Sequence, residues 1–324
     1  MIKIYRILVA ILFFSIIFSQ ISFAQEEITI AGGSVGGSWF PIVNAISDLL
    51  NQELGKNIFF AKPGGGSSNP LLVSQGKMSA GMSYSSFLVA LERGEDPFTI
   101  EHKNNNLRSV ALLFPMYYHI IAAKELPFDS LGEFVEMKHP VRIFPTDVGH
   151  AENWITVKAL AALGVTLDDI NKWGGQVKYI SSVEEASEYK DKHINMAVTH
   201  NVIPFATFID MFMSRDSKLI GLDEIVINAL KEYGMQELVI PAGTYEGQDK
   251  DIKTVGMPAV LFVRDDIPDD IVYAMAKVIC ENTEYLSSIN KSFNSFNPET
   301  AWANLGATLH PGAEKYFKEK GYMK

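Results

Sequence analysis

Two short glycine-rich runs hold the residues best suited to chemistry. Gly32-Gly33-Ser34-Val35-Gly36-Gly37-Ser38-Trp39 follows a β-rich run, Ile28 to Ala31, and precedes a helical pattern opening at Pro41. Pro63-Gly64-Gly65-Gly66-Ser67-Ser68-Asn69 follows a second β-rich run, Asn57 to Ala61, and precedes a helix marked by Pro70. Each loop therefore brings backbone N–H groups, small hydroxyls and the positive end of a helix to one rim of a sheet, an arrangement suited to an anion. In open α/β sheets ligands sit beyond the carboxyl ends of the strands. Ser34, Gly36, Gly37, Ser38 and Trp39 are thus expected to face the same crevice as Ser67, Ser68 and Asn69. The hydroxyls and the Asn69 amide could hold a carboxylate without any fixed counter-charge. Ser68 or Asn69 could instead cap its own helix, and Trp39 could be either a lid on the ligand or a staple at its helix start. Tyr84, ending a third β-rich run, could reach the crevice with its hydroxyl.

The first loop also satisfies the G-x-S-x-G pattern of a nucleophile elbow, with Ser34 as nucleophile, so an exported serine hydrolase is an alternative reading. Its position argues against that chemistry, because several strands precede the elbow in the hydrolase fold and only one does here. A P-loop would need Lys before the hydroxyl residue, and a dinucleotide fingerprint cannot be fitted on Gly32 to Gly37. His102, His119, His139 and His193 lack metal-ligand spacing and read as surface or structural residues, so neither a cofactor nor a metal is expected. Cys280 is the single cysteine, which excludes an intramolecular disulfide and paired-cysteine zinc sites; it borders an apolar helical stripe and reads as a small buried hydrophobe.

These residues must be positioned by an ordinary globular chain. It has 324 residues, 47% of them hydrophobic, with a formal charge of −10 and no basic run, a balance that disfavours nucleic acid as partner. That length suggests roughly two domains of about 150 residues each. Short β-rich runs alternate with helical patterns, the signature of α/β layers around parallel sheets. Further strands are expected over Ala80–Tyr84, Leu107–Leu113, Tyr118–Ala123, Val141–Phe144, Val177–Ile180, Ile194–Thr199, Leu238–Ile240 and Val255–Val263. Helices are expected at Asn153–Leu163, stopped by Gly164, and at Pro268–Leu286. Residues 1–24 form a three-part export pattern: Lys3 and Arg6, an apolar stretch from Ile7 to Phe18, and Ser22-Phe23-Ala24 before a cut that leaves Gln25 first. The apolar stretch is shorter than the roughly 20 residues of a membrane-spanning helix.

Taken together, both glycine loops, Pro241-Ala242-Gly243-Thr244-Tyr245-Glu246-Gly247-Gln248-Asp249 and His310-Pro311-Gly312-Ala313-Glu314 resemble, in order and spacing, the TAXI-type solute receptors of tripartite ATP-independent periplasmic (TRAP) transporters. The resemblance implies an α/β, two-lobed periplasmic-binding-protein fold of type II, each lobe a mixed sheet flanked by helices, with a hinge between lobes. One lobe would comprise residues 25–113 with 257–324, and the other 114–256. It implies a periplasmic, monomeric, non-enzymatic receptor that captures a small organic acid or amino acid, such as glutamate or a related carboxylate, and hands it to a TRAP permease. A same-fold receptor feeding a signalling protein is a further alternative. Where the family shows a Gly-Ser-Gly-Thr loop, this chain has Asp147-Val148-Gly149-His150, and Thr199-His200-Asn201 replaces a glycine-containing segment facing the cleft. Asp147 would either cap its own helix or pair with a ligand ammonium, and His150 could donate to the ligand. Lys62 and Arg142 are the cations nearest the rims.

Overall fold

The computed structural model describes residues 27–35, 38–146, 150–180 and 184–324; the export segment and its cleavage point therefore lie outside the described residues. Among the described residues twelve strands form two sheets. The first sheet holds β1 (Ile28–Ala31), β2 (Phe59–Lys62), β3 (Ala80–Tyr84), β4 (Leu107–Phe114) and β12 (Ala259–Arg264), in the order β2-β1-β3-β12-β4. The second holds β5 (Tyr117–Ala123), β6 (Arg142–Phe144), β7 (Gln176–Val177), β8 (Met196–Asn201), β9 (Ser217–Leu219), β10 (Gln236–Ile240) and β11 (Ile252–Gly256). Its order is β10-β11-β5-β8-β6-β7, with β9 also paired to β5. Helices flank both sheets, and the architecture is mixed α/β with two sheets.

The β1–β3 unit is built from parallel pairs, which need crossover helices. The helix Trp39–Leu54 supplies the first crossover, burying Ile42, Val43, Ala45, Ile46 and Leu50 along one face. It ends at Gly55, whose φ of 60° closes the left-handed cap that a β-carbon would strain. The helix Asn69–Ser74 supplies the second. Strands β12 and β4 then join antiparallel, so the first sheet is mixed.

The structure departs from the sequence reading at two runs, each read as a single element. Val255–Val263 is two strands, broken at Met257-Pro258, where the chain passes from the second sheet back to the first. The outward passage lies at 115–116, between β4 and β5. Pro268–Leu286 is likewise two helices, Asp269–Glu281 and Thr283–Ile289, divided at Asn282.

Apolar burial follows the sheets. Ile30, Ile42, Ile46, Val110, Leu261 and Met275 lie in a core around the first sheet. Ile121, Phe144, Tyr189, Phe208, Met211 and Tyr245 form a core beneath part of the second. A third cluster runs across both, with Phe87, Leu91 and Phe98 on the first-sheet side against Trp154, Ile155 and Tyr118 on the other. Cys280 sits at the margin of the first core, and burial pushes its thiol up to about 12, which leaves it a thiol at neutral pH.

Candidate functional site

The two glycine loops are stitched to each other before they meet anything else. Gly32 N–H donates to the Lys62 carbonyl at 2.9 Å and Gly64 N–H to the Gly33 carbonyl at 3.0 Å. Asn69 completes the join. Its side chain is fully buried, its Nδ2 donates to the carbonyls of Gly32 and Met82 at 2.8 Å each, and its Oδ1 accepts from Gly65 N–H at 2.9 Å. Glycine is required here by space: a β-carbon at position 64 would lie 2.2 Å from Asn69 Oδ1, and one at 66 would lie 2.7 Å from the Tyr84 ring.

Beyond these loops a cleft of about 400 Å³ opens between the two sheets. Gly33, Ser34, Ser38, Trp39, the Gly64–Ser67 turn, Tyr84 and Phe87 line it from the first-sheet side. Met116, His150, Ala151, Glu152, His200 and Asn201 line it from the other. Trp39 and Tyr84 meet with ring centroids 5.0 Å apart, and Tyr84 stands edge-on to the His200 imidazole at 4.8 Å. Trp39 belongs both to this wall and to the core of the first sheet, so it acts as staple and as cleft surface together. His200 touches both chain crossings: its Nε2 lies 3.2 Å from the Met116 carbonyl and 3.1 Å from Met257 N–H.

The residues singled out from sequence divide accordingly. Ser34, Ser38, Trp39, Ser67, Tyr84, His150, His200 and Asn201 come together around the cleft. Gly36, Gly37 and Asp147 lie outside the described residues. Three others do not line it. Asn69 is the buried strut described above, neither a ligand group nor a cap. Ser68 turns its hydroxyl onto the Gly65 carbonyl at 3.2 Å, closing its own loop, and it does not cap the following helix. Thr199 is buried inside β8, opposite His119 and back from the strand end that His200 and Asn201 occupy. Among the described residues no hydrogen bond joins Ser34 to an imidazole, although His150 and His200 line the same cleft.

Sequence reasoning missed Glu152. It stands in the first turn of the helix Ala151–Ala162, half-buried in the cleft wall. Burial raises its carboxyl pKa, partly offset by its own backbone, by the nearby His150 and by the backbone of His200. The Tyr84 hydroxyl is pushed up by burial and then by Glu152. Burial holds His200 down at about 3, with His119 adding to the effect, so the imidazole is neutral at pH 7. The recurring strand–loop–helix unit was the signal available: this helix follows β6 as the helix Trp39–Leu54, whose first turn also lines the cleft, follows β1. Neither anticipated cation is there. Lys62 does not line the cleft, and the Arg142 guanidinium donates to the carbonyls of Lys192 and His193 at 3.0 and 3.1 Å. Among the described residues no group of three His, Cys, Asp or Glu side chains could hold a metal ion.

Comparison with solved structures places this architecture among known folds. XAC2383 from Xanthomonas citri bound to ATP aligns with a TM-score of 0.53 at 10% identity, covering 91% of this chain and 95% of that one. The same protein bound to chloride ion gives 0.51 at 10% identity over 90% and 95%. The periplasmic aliphatic sulphonate binding protein SsuA from Escherichia coli aligns at 0.48 and 9% identity over 91% and 84%. Such identities speak to fold alone. The sequence itself matches the model of the NMT1-like family over residues 30–321, nearly the whole chain, and this protein therefore belongs to the NMT1-like family.

Proposed function

We propose that this NMT1-like chain is an extracytoplasmic solute receptor of the TAXI type. It is exported by residues 1–24, cut after Ala24, and works in the periplasm as a monomer. It captures a small organic acid or amino acid and passes it to a TRAP membrane permease. Residues 25–113 with 257–324 act as one lobe and 114–256 as the other, turning about the crossings at 115–116 and 257–258. The observation that carries this reading is the cleft itself, which is walled from both sheets by loop ends, hydroxyls and aromatic rings. A cleft shared by two lobes binds by closing on its solute, which desolvates the solute and couples occupancy to shape. No bond is made or broken in this role.

The test is a thermal-shift screen of the purified protein against amino acids, oxo acids, dicarboxylates and sugars. A solute at 100 times its Kd stabilises the native state by about 2.7 kcal/mol, a shift of several degrees. A raised midpoint with the solute recovered unchanged supports the receptor. Turnover of an ester or amide that Ser34→Ala abolishes would replace it with the hydrolase. Transport of the identified solute by a reconstituted TRAP permease, dependent on this protein, tests the partner.

A further inference from the structure

The choice of solute can be carried further on the receptor reading just given. Glu152 is the one Asp, Glu, Lys or Arg side chain among the described residues that line the cleft. The undescribed internal residues, 36–37, 147–149 and 181–183, contain no Lys or Arg. Burial keeps the His200 imidazole of the lining neutral. An acid with no cationic group would therefore enter beside a carboxylate of the same sign, in a space from which closure removes water.

A second observation points to an occupant. His200 is 1% exposed and lines the cleft, yet its Nδ1 has no hydrogen-bond partner. Buried polar atoms of this kind are normally satisfied, and a bound solute would supply what is missing. The remaining wall suits a compact dipolar molecule. Ser34 and Ser38 bring hydroxyls from the first-sheet side, and Ser38 makes no side-chain cap bond with its helix. The rings of Trp39 and Tyr84 stand together on the same wall, with centroids 5.0 Å apart.

We infer that Glu152 is an ammonium subsite, and that the cleft selects a small α-amino acid with an uncharged side chain over acids of the same skeleton that lack the amine. The ammonium pairs with the Glu152 carboxylate, and the solute's own carboxylate takes the hydroxyls and N–H groups of the opposite wall. An acidic side chain would add a second negative group for which the cleft has no partner.

The test is isothermal titration of the purified protein with the common α-amino acids and with the 2-oxo and 2-hydroxy acids of the same skeletons, repeated on Glu152→Gln. The expected result is a preference of about thirtyfold or more for the amine-bearing member of a matched set in the wild type. That preference should disappear in Glu152→Gln while its melting midpoint stays close to the wild-type value. Equal or tighter binding of the oxo or hydroxy acid to the wild type overturns the subsite and leaves the receptor standing; this comparison needs no variant. A preference that survives Glu152→Gln overturns it as well. A blank with all three classes overturns the receptor reading, and the subsite with it.

Discussion

The indole N–H of Trp154 donates to Asp96 Oδ2 at 2.6 Å, and this bond reaches from one side of the cleft to the other. Asp96 follows the helix Ser85–Arg93 beside the first sheet, whereas Trp154 belongs to the helix Ala151–Ala162 beside the second. Lys158, one turn along from Trp154, places its Nζ 3.0 Å from the same carboxylate oxygen. The Trp154 ring also stands edge-on to Phe87 at 5.4 Å. One carboxylate thus ties the two halves at a point next to the cleft wall.

Asp96→Asn keeps the shape but removes the charge that both donors share. The pair is partly solvated, so the affinity for solute should fall by about threefold to tenfold, with the melting midpoint of the solute-free protein nearly unchanged. Calorimetry on wild type and variant measures this, and an unaltered affinity would show that the tie plays no part in the bound form.

Asn69→Ala removes a strut that serves three loop and strand ends at once. The buried groups it leaves unpaired should lower stability by about 3 kcal/mol. Urea denaturation reads the loss, and a change below about 1 kcal/mol would mean that the two loops hold their shape without it.

Gly66→Ala puts a methyl group 2.7 Å from the Tyr84 ring. The ring must move, and one of the surfaces it can move into is the cleft. Solute affinity should drop by about tenfold, for a stability loss within the range of about 1–3 kcal/mol usual for overpacking. Titration against the wild type decides it: retained affinity would show that Tyr84 gives way without touching the solute.

Stability should peak near pH 6.5. His119 and His200 are both held near 3 by burial, against an ordinary value of 6.5. Below 6.5 the unfolded chain takes up protons that the folded one refuses, so their contribution is complete above 6.5 and is lost as pH falls toward 3. Glu185 has the opposite sign. Burial, reinforced by Glu152, raises its carboxyl to about 8 from an ordinary 4.5. Its contribution is complete below 4.5 and is lost as pH rises to 8. Melting midpoints across this range should trace the peak, and Glu185→Gln should lessen the decline on its alkaline side, leaving the part that Glu152 contributes. A flat profile in the wild type would contradict these shifts.

Much of the frame was legible because local chemistry and tertiary placement agreed. Ala80–Tyr84 is a strand over the residues its pattern marks, and Gly94 and Gly164, both at positive φ, end helices where glycine is expected to. Errors came where a tertiary event interrupts a uniform run. Val255–Val263, read as one strand leading back to the first lobe, divides at Met257-Pro258, a break that its apolar pattern does not mark. The expected strand at Val177–Ile180 shrinks to Gln176–Val177, at the sheet's edge. In the site, Ser34, Ser38 and Ser67 were readable from glycine-rich context. Asn69 was not, because the amide that could bind a ligand or cap a helix can equally span three backbone groups, and only the fold brings those within reach. Glu152 stayed hidden for a related reason: an acid in a first helical turn is favoured by the helix dipole anyway, so its type carries no mark of a cleft.

The two crossings have a mechanical consequence. They run side by side, bracketed by the pairing of Tyr117 with Gly256 on one side and of Phe114 with Ala259 on the other. Gly256 passes so near Met116 that a β-carbon would lie 1.9 Å from its carbonyl oxygen. A strap two strands wide resists shear and twist far better than it resists bending, which leaves the halves one easy degree of freedom. On the proposed receptor reading, an occupant of the cleft would be reported outward as a single angle, the one quantity that a partner gripping both halves would need to sense.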